Sequence, residues 1–186
     1  MATGATIYNF DIDLADADRS VYETLALRLA RHPSESEEYL VTRVLAYAME
    51  HAEGIALSGG GLSDPDEPAL TVRDLSGTLR AWIEVGSPEA ARLHKASKAS
   101  PRVAIYTHKD AERLAGRLSG ERIHRAEALE LYAIDPALIG ALVSRLDRRM
   151  TFALSIVDRE LFVSIGADTL QGQVVRHAIA RRRQGA

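Results

Sequence analysis

The clearest pattern in the chain lies between residues 34 and 48. Leu40, Val41, Val44, Leu45 and Ala48 recur at steps of one, three, one and three residues, which lays one apolar stripe along an α-helix. Ser34-Glu35-Ser36-Glu37 has the S-x-x-E form of a capping box, and the helix behind it is expected to be the main core helix. Upstream, Ala5 to Leu14 alternate. Tyr8, Phe10, Ile12 and Leu14 oppose Asn9, Asp11 and Asp13, with Ile7 out of phase, so a half-buried strand is expected. Ser20-Val21-Tyr22-Glu23 spells a further capping box and predicts a helix through Leu25, Leu29 and His32, ended by Pro33.

Beyond the core helix, Ser58 to Pro68 is rich in glycine and proline and reads as a loop. Leu70 to Leu75 and Leu79 to Val85 read as strands of a hairpin turning at Ser76-Gly77. Ser87-Pro88 supplies an N-cap and a proline at the first helical position, for a helix reaching about Lys98. Val103 to Tyr106 is a short apolar run after that helix, the form of a buried parallel strand. Asp110 opens a short helix through Leu114 and Leu118. Ala128 to Ile134 is a strand, and Asp135-Pro136 caps a helix to about Leu146. Phe152 to Val157 and Leu161 to Ile165 form a second hairpin around Asp158-Arg159. The tail from Val174, with Arg181 to Arg183, reads as a frayed helix or as disordered. The sum is an α/β chain with a mixed sheet: a central strand–helix–strand unit flanked by antiparallel hairpins.

Composition narrows the class. The 186 residues suit a single domain spanning 1–186, and 46% apolar with 26% charged residues exclude disordered and collagen-like chains. A net charge of −3 disfavours a general basic coat for nucleic acid and leaves room for a local basic groove. The absence of cysteine excludes disulfides, thiol nucleophiles, iron–sulfur clusters and cysteine zinc sites. No signal peptide and no membrane-spanning run is evident, so a cytoplasmic globular domain is expected. P-loop, G-x-S-x-G and G-x-G-x-x-G motifs are absent, and the six histidines are scattered singly.

One constellation carries candidate chemistry. With the hairpin turning at Ser76-Gly77, antiparallel pairing places Glu84 opposite Ala69 and Glu67 near Gly86, on one face; Asp74 falls by the turn. The following helix carries Arg92, Lys95 and Lys98 at three-residue steps. Two carboxylates with a lysine can hold Mg²⁺ and stabilise a pentavalent phosphate, because the metal takes hard oxygen ligands and the amine offsets developing charge. A plainer alternative stands beside it: Glu84 is solvated or pairs with Arg92, and the basic stripe is a wet helix face. Glu35 and Glu38 are either further metal ligands or acids favoured by the helix dipole.

The strings Arg31-His32-Pro33-Ser34-Glu35, Asp66-Glu67-Pro68, Trp82-Ile83-Glu84-Val85-Gly86-Ser87-Pro88 and Arg102-Val103 to Tyr106 resemble the bacterial YaeQ family. Ala5-Thr6-Ile7-Tyr8 and Met150-Thr151 extend the resemblance over residues 3 to 166. It implies a variant of the PD-(D/E)XK nuclease fold: a restriction-endonuclease-like core with a mixed central sheet, flanking helices and added antiparallel hairpins. It also implies site roles. Asp66 or Glu67 is then the first acid, Glu84 the second, and Glu38 or Glu35 the helical acid around Mg²⁺. Gly86 stands where the family motif has its lysine, which leaves Lys95, or after it Lys98, to supply the amine. Two functions follow as expectations. One is a Mg²⁺-dependent phosphodiesterase acting on nucleic acid. The other is a non-catalytic descendant that binds a nucleic acid or a protein, including a transcription-associated one.

Overall fold

The computed structural model describes residues 4–59 and 66–179. Two long antiparallel strands, β1 (Thr6–Asp16) and β2 (Val21–Arg31), precede helix α1 (Glu37–Met49). Strands β3 (Ile55–Leu57), β4 (Leu70–Arg73) and β5 (Leu79–Val85) lead into α2 (Ala90–Ala99), β6 (Arg102–Thr107) and α3 (Ala111–Ser119). After a 3-10 turn come β7 (Glu130–Ile134), α4 (Pro136–Val143), β8 (Arg149–Val157), β9 (Glu160–Ile165) and β10 (Asp168–His177).

The ten strands among the described residues form one sheet, ordered β2-β1-β8-β9-β10-β7-β6-β5-β4-β3. The pairs β1/β8, β5/β6 and β6/β7 are parallel and the others antiparallel, so the sheet is mixed. Alternation along β6 shows how its two faces are used. Ala104 and Tyr106 join a core with Leu40, Val44 and Leu45 of α1 and Leu138 of α4. Val103 and Ile105 join a second core with Leu93 of α2 and Leu114 and Leu118 of α3. Helices therefore cover both faces of the β5–β7 region, which is why β6 is apolar on both sides. The parallel strands end together at Val85, Thr107 and Ile134, beside the N-termini of α1 and α2.

Several elements depart from the pattern of the sequence. The segment from Ser20 to Pro33 is not a helix. Val21–Arg31 pairs residue for residue with β1, from Asp16↔Val21 to Thr6↔Arg31. Leu25 and Leu29 suit a helix at i, i+4, but Leu27 is buried between them while Ala26 and Arg28 are exposed, which is a period of two. Ser20 is a turn residue with φ of 57°, and the Asp16 carboxylate holds that turn by accepting from the backbone and side chain of Arg19. The N-cap of α1 is Ser36, whose hydroxyl accepts from the Tyr39 amide at 3.1 Å, so the capping box at Ser34 does not form. α2 starts at Ala90 with Glu89 as N-cap, two residues beyond Pro88. Val174 to His177, expected to fray, belong to β10 and pair with β7. Arg181 to Arg183 lie outside the described residues.

Candidate functional site

A cavity of about 440 Å³ opens where β5 and β6 end, lined by Ser36 and Tyr39 of α1, Glu84, Gly86, Arg92 of α2, and His108 and Lys109 after β6. Ligand sites in open α/β sheets form at this carboxyl edge of the strands. Away from the turn the hairpin has the register expected for it: Leu70 faces Ile83, so Ala69 stands opposite Glu84, while a bulge between Val72 and Arg73 shifts the pairing by one and sets Arg73 against Leu79. Gly86, at φ of 89°, lets the chain leave β5 sharply toward α2.

Glu84 is 4% exposed. Its Oε1 accepts from the Trp82 indole Nε1–H at 2.5 Å and from the Arg92 Nε–H at 2.7 Å. Burial raises its pKa, opposed by the Trp82 hydrogen bond and the Arg92 charge. Arg92 also donates to the backbone carbonyl of Glu67. Glu84 and Glu67 thus reach one another through a single guanidinium, with the Glu67 side chain exposed. One turn along α2, Lys95 pairs with the carboxylate of Asp66, both largely exposed. That pairing holds the Asp66 carboxyl below its usual range. Lys98 is exposed farther along the helix.

The two helical acids separate. Glu35 is buried and pairs with buried Arg43 at 3.6 Å, which assigns it to the interior under α1. Glu38 is exposed in the first turn of α1, its pKa lowered mainly by a backbone hydrogen bond there, with His108 contributing. His108 touches the Thr42 hydroxyl at 3.1 Å through Nδ1, and its pKa is lowered by burial and then by Lys109.

Tyr39, His108 and Lys109 are pocket residues that the motifs did not single out. Tyr39 lies amid the charges of Arg43, Glu35, Glu84 and Arg92, and burial pushes its hydroxyl up to about 12. The signal for His108-Lys109 was available: polar residues directly after a buried parallel strand fall at the ligand-bearing edge.

The whole-chain comparison is decisive. The YaeQ protein family model matches residues 1–174. This chain belongs to the YaeQ family. YaeQ of Salmonella typhi is 31% identical over 175 residues, covering 94% of this chain and 96% of that one. YaeQ of Escherichia coli K12 is 30% identical, covering 92% and 94%. The crystal structure of YaeQ from Pseudomonas syringae superposes with a TM-score of 0.82 at 31% identity, covering 92% of this chain and 95% of that one. That of YaeQ from Xanthomonas axonopodis pv. citri gives 0.79 at 27% identity, covering 94% and 98%. The mixed sheet with its helices is therefore a YaeQ architecture.

Within this YaeQ chain the acids do not assemble as a ligand set. Among the described residues no group of three or more His, Asp or Glu side chains converges closely enough to hold a metal ion. The Arg92 guanidinium stands against the buried carboxylate of Glu84, where a divalent cation would need that oxygen. The described residues as arranged do not fit Mg²⁺. Among them, no helix is long and apolar enough to cross a membrane.

Proposed function

We propose that this YaeQ protein is a binding protein built on a restriction-endonuclease-like core, and that its pocket takes the phosphate of a nucleic acid without hydrolysing it. The observation that carries the reading is the Glu84–Arg92 pair. A buried acid that stays ionised meets either a metal or a fixed cation, and here a fixed cation is bonded to it at 2.7 Å. The pocket acids are accounted for: Glu84 by Arg92, and Glu89 by Arg117 at 2.8 Å. Lys109 carries the remaining positive charge of the lining, beside His108 and the Tyr39 hydroxyl. Such a surface favours an anion with acceptor oxygens over a cation. The chain's net charge of −3 confines attraction to this locality.

The test is fluorescence anisotropy with labelled single- and double-stranded DNA and RNA in EDTA, alongside cleavage assays in Mg²⁺ and Mn²⁺. Binding is expected without metal, weakened about tenfold by Lys109→Ala, with no cleavage above a buffer control. A second reading, Mg²⁺-dependent phosphodiester hydrolysis, is favoured by Lys95 reaching Asp66 beside Glu67. It uses Glu84, Asp66 or Glu67, and Glu38 as ligands, and it requires Arg92 to leave Glu84. Calorimetric Mn²⁺ binding, or Mg²⁺-dependent cleavage, that disappears in Glu84→Gln would overturn the binding proposal in favour of this one.

A further inference from the structure

A second and larger cavity, about 590 Å³, opens at the opposite end of α1, where the parallel strands begin. It takes no part in the reading above. Its floor is apolar, with Met49, Val72, Ala81, Ile156 and Val174, and the Tyr132 ring forms one side. Its polar wall is a fixed network. Arg102 donates to both oxygens of Glu50 at 2.6 and 2.9 Å and to Glu130 at 2.7 Å, and Tyr106 donates to Glu50 at 2.6 Å. Arg19 donates to Asp16 at 2.6 Å and to the Ala48 and His51 carbonyls at the C-terminal end of α1.

Donors and acceptors do not balance in this wall. Every carboxylate oxygen of the wall already accepts a hydrogen bond: those of Asp16 from Arg19, those of Glu50 from Arg102 and Tyr106, and those of Asp18 from the backbone N–H groups of Asp158 and Arg159 at 2.7 and 2.9 Å. The guanidiniums are not. Each has five N–H groups. Arg19 uses three of them and Arg102 leaves one NH1 hydrogen unused, while the Arg159 side chain at the rim makes no hydrogen bond or ion pair among the described residues. Spare donors above an apolar floor are the complement of an amphipathic anion. The volume is in the range of small-molecule sites. We infer that this cavity binds a small organic anion, with its aromatic or aliphatic body on Tyr132, Met49 and Val174 and its carboxylate or phosphate facing Arg159 and the spare N–H groups of Arg19 and Arg102.

The probes are 1-anilinonaphthalene-8-sulfonate and its uncharged analogue N-phenyl-1-naphthylamine, titrated by fluorescence against the full chain. Saturable binding is expected, with the sulfonate at least tenfold tighter. Arg159→Asn, at a position with φ of 60° that asparagine tolerates, should remove most of that preference. Ala52→Trp, which places a ring on an exposed lining position, should abolish binding of both probes while thermal unfolding stays unchanged. Displacement by decanoate but not decyl phosphate, or the reverse, assigns the head group. The inference fails if neither probe saturates, if the neutral analogue binds as tightly as the sulfonate, or if Ala52→Trp leaves binding intact. None of these outcomes depends on Glu84 or Lys109.

Discussion

Replacing Arg92 by methionine keeps most of the aliphatic stem and removes the cation from Glu84. The magnitude follows from the geometry. At an effective dielectric constant of about 20 and a charge separation of about 4 Å, the lost attraction is about 4 kcal/mol. Removing one partner of a buried pair leaves the other charge uncompensated, at a cost of about 3–5 kcal/mol. Glu84 has an escape, which is to bind a proton. The cost of that is about 1.4 kcal/mol for each pH unit between the solution and its pKa. Burial already raises that pKa, and loss of Arg92 raises it further. A carboxyl with a raised folded pKa binds more protons folded than unfolded. Its stabilising contribution is present below the unfolded value and is lost as pH rises toward the folded one. The gap between wild type and Arg92→Met therefore widens with pH, reaching about 3 kcal/mol at pH 8. Adding Glu84→Gln should recover all but about 1 kcal/mol and flatten the pH dependence, since Gln still accepts from Trp82. The assay is urea unfolding followed by the fluorescence of Trp82, the sole tryptophan, whose indole bonds to Glu84. A loss below about 0.5 kcal/mol at pH 8, or a gap that narrows as pH rises, would show that Arg92 does not neutralise Glu84, and the metal-free reading of the pocket would lose its foundation.

Three further outcomes are expected. Leu27→Ala should cost about 2–4 kcal/mol in urea unfolding while Ala26→Ser stays within about 0.5 kcal/mol, whereas a helix with Leu25 and Leu29 facing inward would place Leu27 on its far side. Gly172→Ala should cost about 1–3 kcal/mol in the same assay. Its Cβ would stand 2.7 Å from the Leu138 Cβ and 3.0 Å from the Asp135 Cβ, so α4 must lift from β10. Asp74 should titrate at about 2 by carboxyl NMR, because its oxygens accept from the Ser76 hydroxyl, the Arg80 guanidinium and the amides of Ser76 and Thr78. Stability contributed by that turn is present above the ordinary aspartate value and is lost as pH falls toward 2, and a midpoint near 4 would contradict this geometry.

Elements governed by their own residues were legible in the sequence. The hairpin around Ser76-Gly77 brings Glu84 opposite Ala69, with a bulge between Val72 and Arg73 offsetting the pairing next to the turn. β6 is apolar on both faces because helices cover both, and α1 carries one unbroken stripe. What failed depended on partners outside the segment itself. Leu25 and Leu29 suit either a helix or a strand, and only β1, pairing along the whole segment, decides for the strand. Gly172 carried no signal of its own in the sequence; it sits inside β10 where Leu138 of α4 and the N-cap Asp135 approach too closely for a side chain.

The candidate site divides along the same line, and α2 shows why. Arg92, Lys95 and Lys98 lie on one stripe, so spacing alone cannot say which of them meets Glu84. The point where the helix begins decides it. Pro88 suggests an early start, but Gly86 at φ of 89° turns the chain away and regular helix begins only at Ala90. Arg92 then sits in the first turn, beside the end of β5, with its guanidinium on Glu84 and its other nitrogen on the Glu67 carbonyl. Lys95 falls one turn farther on, where it meets Asp66 at the surface. Glu84 was readable because strand pairing places it opposite Ala69, with Arg92 beside the metal as its alternative partner; Glu67 precedes β4 and its side chain is exposed. Choosing between arginine and metal depends on helix phase. That phase is also what separates a pocket closed by its own arginine from one left open to a metal.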